Sequence, residues 1–284
     1  MRTGISAALL LLAAGALALQ TAVAQEQFTL TYRLAKDHPY RFRDTTVVTS
    51  SQEMMGQEMK STSTIVTTMR VVPTELRPDG STVAEVSAEG ITASVRNARM
   101  DTTITFPDLV GKRSRVTLSK TGETLRHEVV DTVKQNTMAM AAGVGRQEMM
   151  RFQLLPDKPI RVGDKWKTVK PDTTGMGPGG QVVTVASGES TLLGRETRGK
   201  YECLKIAYAG TLTLTGKGSM NGMEFYLEGN GKTTGTYLVD IATGLAIVAD
   251  SRNSVETTVA LTGQQNMTIP GSQSAVTHRM LLEE

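Results

Sequence analysis

The chain is poor in the residues that most chemistry needs. It has one cysteine, one tryptophan, three histidines and 4% aromatic residues among 284. A single cysteine cannot form an internal disulfide, so the fold has to rest on its core. No cysteine stands just after the N-terminal apolar run, which argues against lipid anchoring by that route. Cys203, in the alternating stretch "KYECLKIAYAG", reads as a small buried apolar residue. The histidines His38, His127 and His278 are far apart, and zinc held by imidazoles would need carboxylate help. After the leader no run is both long and apolar enough to span a bilayer.

Complete catalytic motifs are missing as well. "HEVVD" (127–131) has Asp131 where a zinc-protease helix needs its second histidine, which leaves His127, Glu128 and Asp131 as exposed residues. "GESTL" (188–192) ends in leucine, and "GSMNG" (218–222) has its serine out of register for a nucleophile elbow. "NGKTTG" (230–235) lacks both the first glycine and the following helix of a phosphate loop. A pair of glycosidase carboxylates leaves no spacing signature, so a hydrolase acting on envelope polymers stays as the alternative reading.

What is present points to export and to β-structure. Arg2, the apolar "AALLLLAAGALAL" and the small residues Ala22 and Ala24 form a secretory leader, with cleavage expected before Gln25. The expected organisation is therefore a signal peptide (1–24) followed by one β-rich domain (25–284), or two halves split at 155/156. The expected location is periplasmic or secreted. The formal net charge is +3, and the densest basic cluster, "KRSR" (112–115), has no aromatic platform beside it, which argues against nucleic acid.

Threonine-rich alternation predicts strands. "QFTLTYRLA" (27–35) alternates Phe28, Leu30, Tyr32 and Leu34 against polar residues and reads as the first of them. Reversals are expected at Gly56, at "RPDGS" (77–81), at Thr121 and Gly122, and at Thr243 and Gly244. "VALTGQQNMTI" echoes the Gly56 hairpin, but the two kinds of turn occur in opposite order in the two halves. The 132–155 stretch has helix-favouring composition and predicts one or two short helices. "KPDTTGMGPGGQ" (170–181) reads as a loop. The resulting fold class is mainly β: a strongly curved antiparallel sheet, or two, shaped like a half-barrel.

Methionine supplies the sharpest chemical lead. "QEMMGQEMKS" (52–61) gathers Met54, Met55 and Met59 around Gly56, and thioethers suit Cu(I). Alternation, however, puts Met55 and Met59 on one face and Met54 on the other, and methionine is a common lining of adaptable apolar surfaces. Packing is the favoured reading, with Cu(I) binding as the lesser one. Neither metal nor cofactor is expected. Met55, Met59, Met69, Trp166 and Tyr237 are the candidate ligand-contacting residues.

Four segments, "YRFRDTTVVTSSQEMMGQEMKS", "FPDLVGKRSRVTLSKTGETL", "LLPDKPIRVGDKWK" and "GTYLVDIATGLAIVADSR", resemble an exported bacterial family known as domain of unknown function 6263. The resemblance covers most of the chain after the leader and implies a β-rich fold with no assigned activity. Many members of that family are lipoproteins, whereas this chain lacks the cysteine that would carry the lipid. The expected shape is similar to periplasmic lipoprotein and lipid carriers at the level of fold alone. These readings together predict a non-enzymatic envelope protein that binds a lipid-like ligand or a protein partner in a concave β surface.

Overall fold

The computed structural model describes residues 26–54, 56–132, 152–175, 180–220, 223–263 and 266–282. Twelve strands follow in chain order: β1 (Tyr40–Met54), β2 (Gln57–Leu76), β3 (Thr82–Asn97), β4 (Asp101–Thr105), β5 (Arg113–Leu118), β6 (Thr124–Val129), β7 (Lys165–Gly175), β8 (Gln181–Arg198), β9 (Tyr201–Met220), β10 (Met223–Asp240), β11 (Ala246–Thr262) and β12 (Met267–Leu282). Their pairings are antiparallel and form one open sheet in the order β6-β5-β3-β2-β1-β12-β11-β10-β9-β8-β7, with β4 on the far part of β3. β1 pairs with β12 at the centre, from Arg41 opposite Leu282 to Gln52 opposite Gly271. The first part of the chain thus walks outward from the centre and the second walks inward. That reversal accounts for the opposite order of the two kinds of turn.

The expected reversals are present. Gly56, Gly80, Gly122 and Gly244 all have φ between 73° and 88°, the left-handed region where a Cβ is penalised. The helices expected in 132–155 fall mostly on 133–151, outside the described residues. Among the described residues the helical element is a single 3-10 turn, Pro107–Leu109. Of the loop expected over 170–181, residues 170–175 and Gln181 are strand, with Lys170 paired to Ala186 and Gly175 to Gln181, while 176–179 lie outside the described residues. Pro171 is compatible with that because β7 lies at the sheet edge, where a missing N–H leaves no ladder bond unmade.

The first expected strand is also corrected. Residues 26–39 are extended but join no ladder beyond one bridge, Phe28 to Ile160. They run instead as a strap inside the sheet. Tyr32 N–H donates to Lys120 O at 2.8 Å in the β5–β6 turn, and Arg33 N–H donates to Thr243 O at 2.9 Å in the β10–β11 turn. In a flat sheet β5 and β11 would stand five interstrand steps, roughly 24 Å, apart. Adjacent residues can reach both turns only because the sheet curls around the strap.

The alternation seen in the sequence therefore fills the curl. Phe28, Leu30, Tyr32 and Leu34 are all buried and share one cluster with Phe42, Met69, Val86 and Leu118 from one wing and Leu192, Leu204, Ile206 and Val239 from the other. Burial is concentrated at this end of the sheet, where β1 and β9 start and β8 and β10 finish. Toward the other end, β11 and β12 have no buried residue beyond Ile247 and keep only an alternation of half-buried and exposed positions.

An inner belt above the filled core

Directly opposed residues on antiparallel strands share a face, so the register gives the lining of the concave side. At the top of the filled core one row runs Ile206 (β9), Tyr237 (β10), Ala249 (β11), Arg279 (β12), Asp44 (β1) and Thr67 (β2). The next row runs Trp166 (β7), Ser190 (β8), Tyr208 (β9), Gly235 (β10), Ser251 (β11), Thr277 (β12) and Thr46 (β1). Beyond these two rows the inward positions mix half-buried aliphatics, among them Val48, Ile65, Leu212, Leu214, Leu227 and Val255, with polar residues such as Lys170, Asp172, Asn253 and Gln273.

Local sequence explains how Trp166 comes to the belt. In "RVGDK" the Arg161 N–H donates to Asp164 Oδ2 at 2.8 Å, and Leu192 N–H donates to Asp164 O at 3.0 Å. The turn docks onto β8 and starts β7 with Trp166 facing Ser190. Ser190 is fully buried. Among the described residues neither the Trp166 Nε1 nor the Ser190 Oγ has a hydrogen-bond partner.

Glycines shape this wing of the sheet. Across β9 and β10 a large inward residue repeatedly faces a glycine: Tyr208 against Gly235, Leu212 against Gly231, Leu227 against Gly216 and Phe225 against Gly218. A Cβ on Gly188 would stand 2.6 Å from the Tyr208 hydroxyl, and one on Gly210 would stand 2.8 Å from it. The tyrosine ring therefore lies over bare backbone, which a side chain at either position would prevent. Its hydroxyl hydrogen-bonds Thr168 while burial raises its pKa. Burial also pushes Tyr237 up to about 12, with a smaller contribution from Tyr208.

The opposite side of the belt is polar. Arg279 donates to Asp44 through Nε at 2.7 Å and through a second nitrogen at 2.5 Å, with its guanidinium 5.9 Å from the centre of the Phe42 ring. Asp44 is the acid on this side of the belt, and Asp172 also falls on the inner face by register, opposite Thr184 on β8. Glu128 and Asp131, from the "HEVVD" motif, are engaged by Arg126 and Arg113. No group of three or more histidine, cysteine, aspartate or glutamate side chains could hold a metal among the described residues.

Of the candidate contact residues, Trp166 and Tyr237 reach the belt. Met69 is 3% exposed and belongs to the core beside Phe42, below the open surface. Met59 lies far along β2 opposite Gln52 and is 47% exposed. Met55 lies outside the described residues, so the methionine trio forms no described site. Sequence reasoning missed Ser190 and Tyr208. Their signal was the alternate-position glycine in "LTLTGKGSM" and "LEGNGKTTG", which marks a strand face pressed against large cross-strand neighbours.

The outward face differs. It presents Arg41, Arg43, Arg70, Lys60, Glu58, Arg252, Glu256 and His278 together with many hydroxyl groups. Among the described residues no helix is long and apolar enough to cross a membrane.

No family model matches the chain, and no curated protein matches it. Among solved structures it is similar to OccK5 (OpdH) of Pseudomonas aeruginosa at 6% identity and a TM-score of 0.27, over 87% of this chain and 99% of that one. It is similar to an outer-membrane channel of Pseudomonas putida F1 at 10% identity and a TM-score of 0.22, over 89% and 98%. It is similar to OccK2 (OpdF) of Pseudomonas aeruginosa at 8% identity and a TM-score of 0.25, over 88% and 100%. These structures are outer-membrane channels, at odds with the periplasmic or secreted location expected from the leader. A TM-score below 0.3 does not extend to a shared architecture, and the sheet here stays open at β6 and β7.

Proposed function

We propose that this chain is a non-enzymatic envelope protein that binds an apolar or amphipathic ligand along the concave face above the belt. The observation that carries this reading is the division of the inner surface. Below the belt the chain's own strap fills the curl with Phe28, Leu30, Tyr32 and Leu34. Above it the inward aliphatics Val48, Leu212, Leu214, Leu227 and Val255 are left half-buried. A concave apolar lining with a few polar groups at one end is the usual form of a small-molecule site. The outward face carries charges where a lipid-facing wall carries an apolar band, which leaves the concave face as the place for an apolar ligand.

Trp166 is the sole tryptophan and lies on the belt, so its emission reports occupancy. Titration with an uncharged naphthylamine probe is expected to change Trp166 fluorescence and to raise probe emission saturably. Extraction of protein purified from its native envelope, followed by mass spectrometry, is expected to release a stoichiometric apolar compound. A flat titration together with an empty extract would overturn the reading.

A further inference from the structure

Two buried polar atoms on the belt have no partner among the described residues, the indole Nε1 of Trp166 and the hydroxyl of Ser190. The residues are directly opposed on β7 and β8. Buried donors in native folds are nearly always satisfied, so two adjacent exceptions mark a place for a further partner. Indole nitrogen only donates, and a serine hydroxyl can donate as well, so the missing group is an acceptor. Opposed Cβ atoms stand about 4.5–5.5 Å apart, close enough for the two lone pairs of one oxygen to serve both donors.

The surroundings select the kind of oxygen. Among the described residues no cationic residue stands on the inward face at the rows of Trp166 and Thr168; Lys170, the nearest on β7, stands one row further, opposite Ala186. Lys165 points to the other face and pairs with Glu189. Arg279 lies four strands away on β12 and is paired with Asp44. A carboxylate or phosphate here would lose its hydration with no counter-ion in its own row. A neutral carbonyl would not. The next inward positions along the strands, Gly188 and Gly210, are bare, and beyond them come Ala186, Leu212 and Leu214.

We infer that Trp166 and Ser190 form the head subsite of the ligand, taking the carbonyl oxygen of an uncharged acyl ester whose hydrocarbon chain lies on the aliphatic surface above. The inference rests on the binding role proposed above. Tyr208 covers the way in, because its ring lies over Gly188 and Gly210 and its hydroxyl is tied to Thr168. Admission of the ester lifts that ring.

Competition against the naphthylamine probe on the full chain tests this with methyl laurate, dodecane and laurate. The ester is expected to displace the probe at about one-tenth the concentration of the alkane, the gain of one to two hydrogen bonds. Laurate at neutral pH is expected to compete no better than the alkane. The pair Trp166→Phe and Ser190→Ala is expected to bind the probe while losing the preference for ester. If that double variant does not fold, Ser190→Ala alone is expected to reduce the preference severalfold. Equal competition by ester and alkane in the unaltered protein would mean that only water serves these donors, and would overturn the inference while leaving the binding role standing. Tighter competition by laurate would overturn it too. A protein that binds no probe fails at the earlier step, and both ideas fall.

Discussion

Arg279 on the last strand holds Asp44 on the first through two hydrogen bonds, across the seam where the two wings of the sheet meet. The pair is only 20% and 14% exposed, and the guanidinium also rests over Phe42. Removing one partner strands the other charge at the top of the core, at a cost of about 2–4 kcal/mol. Asp44→Ala and Arg279→Ala should each lower the midpoint of urea denaturation by that equivalent. The double replacement by a matched apolar pair should recover most of it, which an equilibrium denaturation series can check.

The two Thr-Gly turns grip the strap from opposite wings. A Cβ on Gly122 would stand 2.5 Å from the Tyr32 ring, and one on Gly244 would collide with the carbonyl of Thr31. Both glycines also have positive φ. Gly244→Ala therefore combines left-handed strain of about 1–3 kcal/mol with a backbone clash. The expected outcome is a drop in Tm larger than that of Gly56→Ala, which has positive φ but open space around it. Equal losses at the two sites would show that the strap is not gripped there.

Tyr237 should make stability fall at high pH. Its hydroxyl is raised to about 12 by burial, so the folded state keeps a proton that the unfolded chain releases near 10. That contribution is fully present below pH 10 and is lost as pH rises from 10 toward 12. Absorbance titration should show a tyrosine ionising near 12, absent in Tyr237→Phe, and the variant should lose less stability over that interval. Tyr32, more deeply buried, should ionise later still.

Cys203 should be inert in the folded protein. Burial, aided by Asp240, pushes its thiol up to about 11, and no part of the residue is exposed. A disulfide reagent at pH 8 is expected to label it only at the rate of unfolding, and labelling should become immediate in denaturant. Rapid reaction under native conditions would contradict the packing described for β9.

Several features were legible because they are local. Gly56, Gly122 and Gly244 announce reversals through backbone chemistry that needs no partner. "VGDKW" opens β7 because Asp164 closes its own turn onto the preceding residues. The strap was misread for the same reason. Period-two alternation in 27–35 says that one side is buried, but not whether a neighbouring strand lies alongside. Its N–H groups go to separate elements, a fact found only in the curled sheet. Met69 likewise carries no mark in sequence distinguishing a core position from an open lining.

By itself the sequence determined strand content, the places of reversal and the lack of a complete catalytic motif, since each depends on residues within a few positions of one another. Only the tertiary structure decided that residues 26–39 fill the curl, that Trp166 meets Ser190, and that Arg279 meets Asp44. Those pairings depend on register between strands far apart in the chain, and a shift of one residue would turn each side chain to the opposite face.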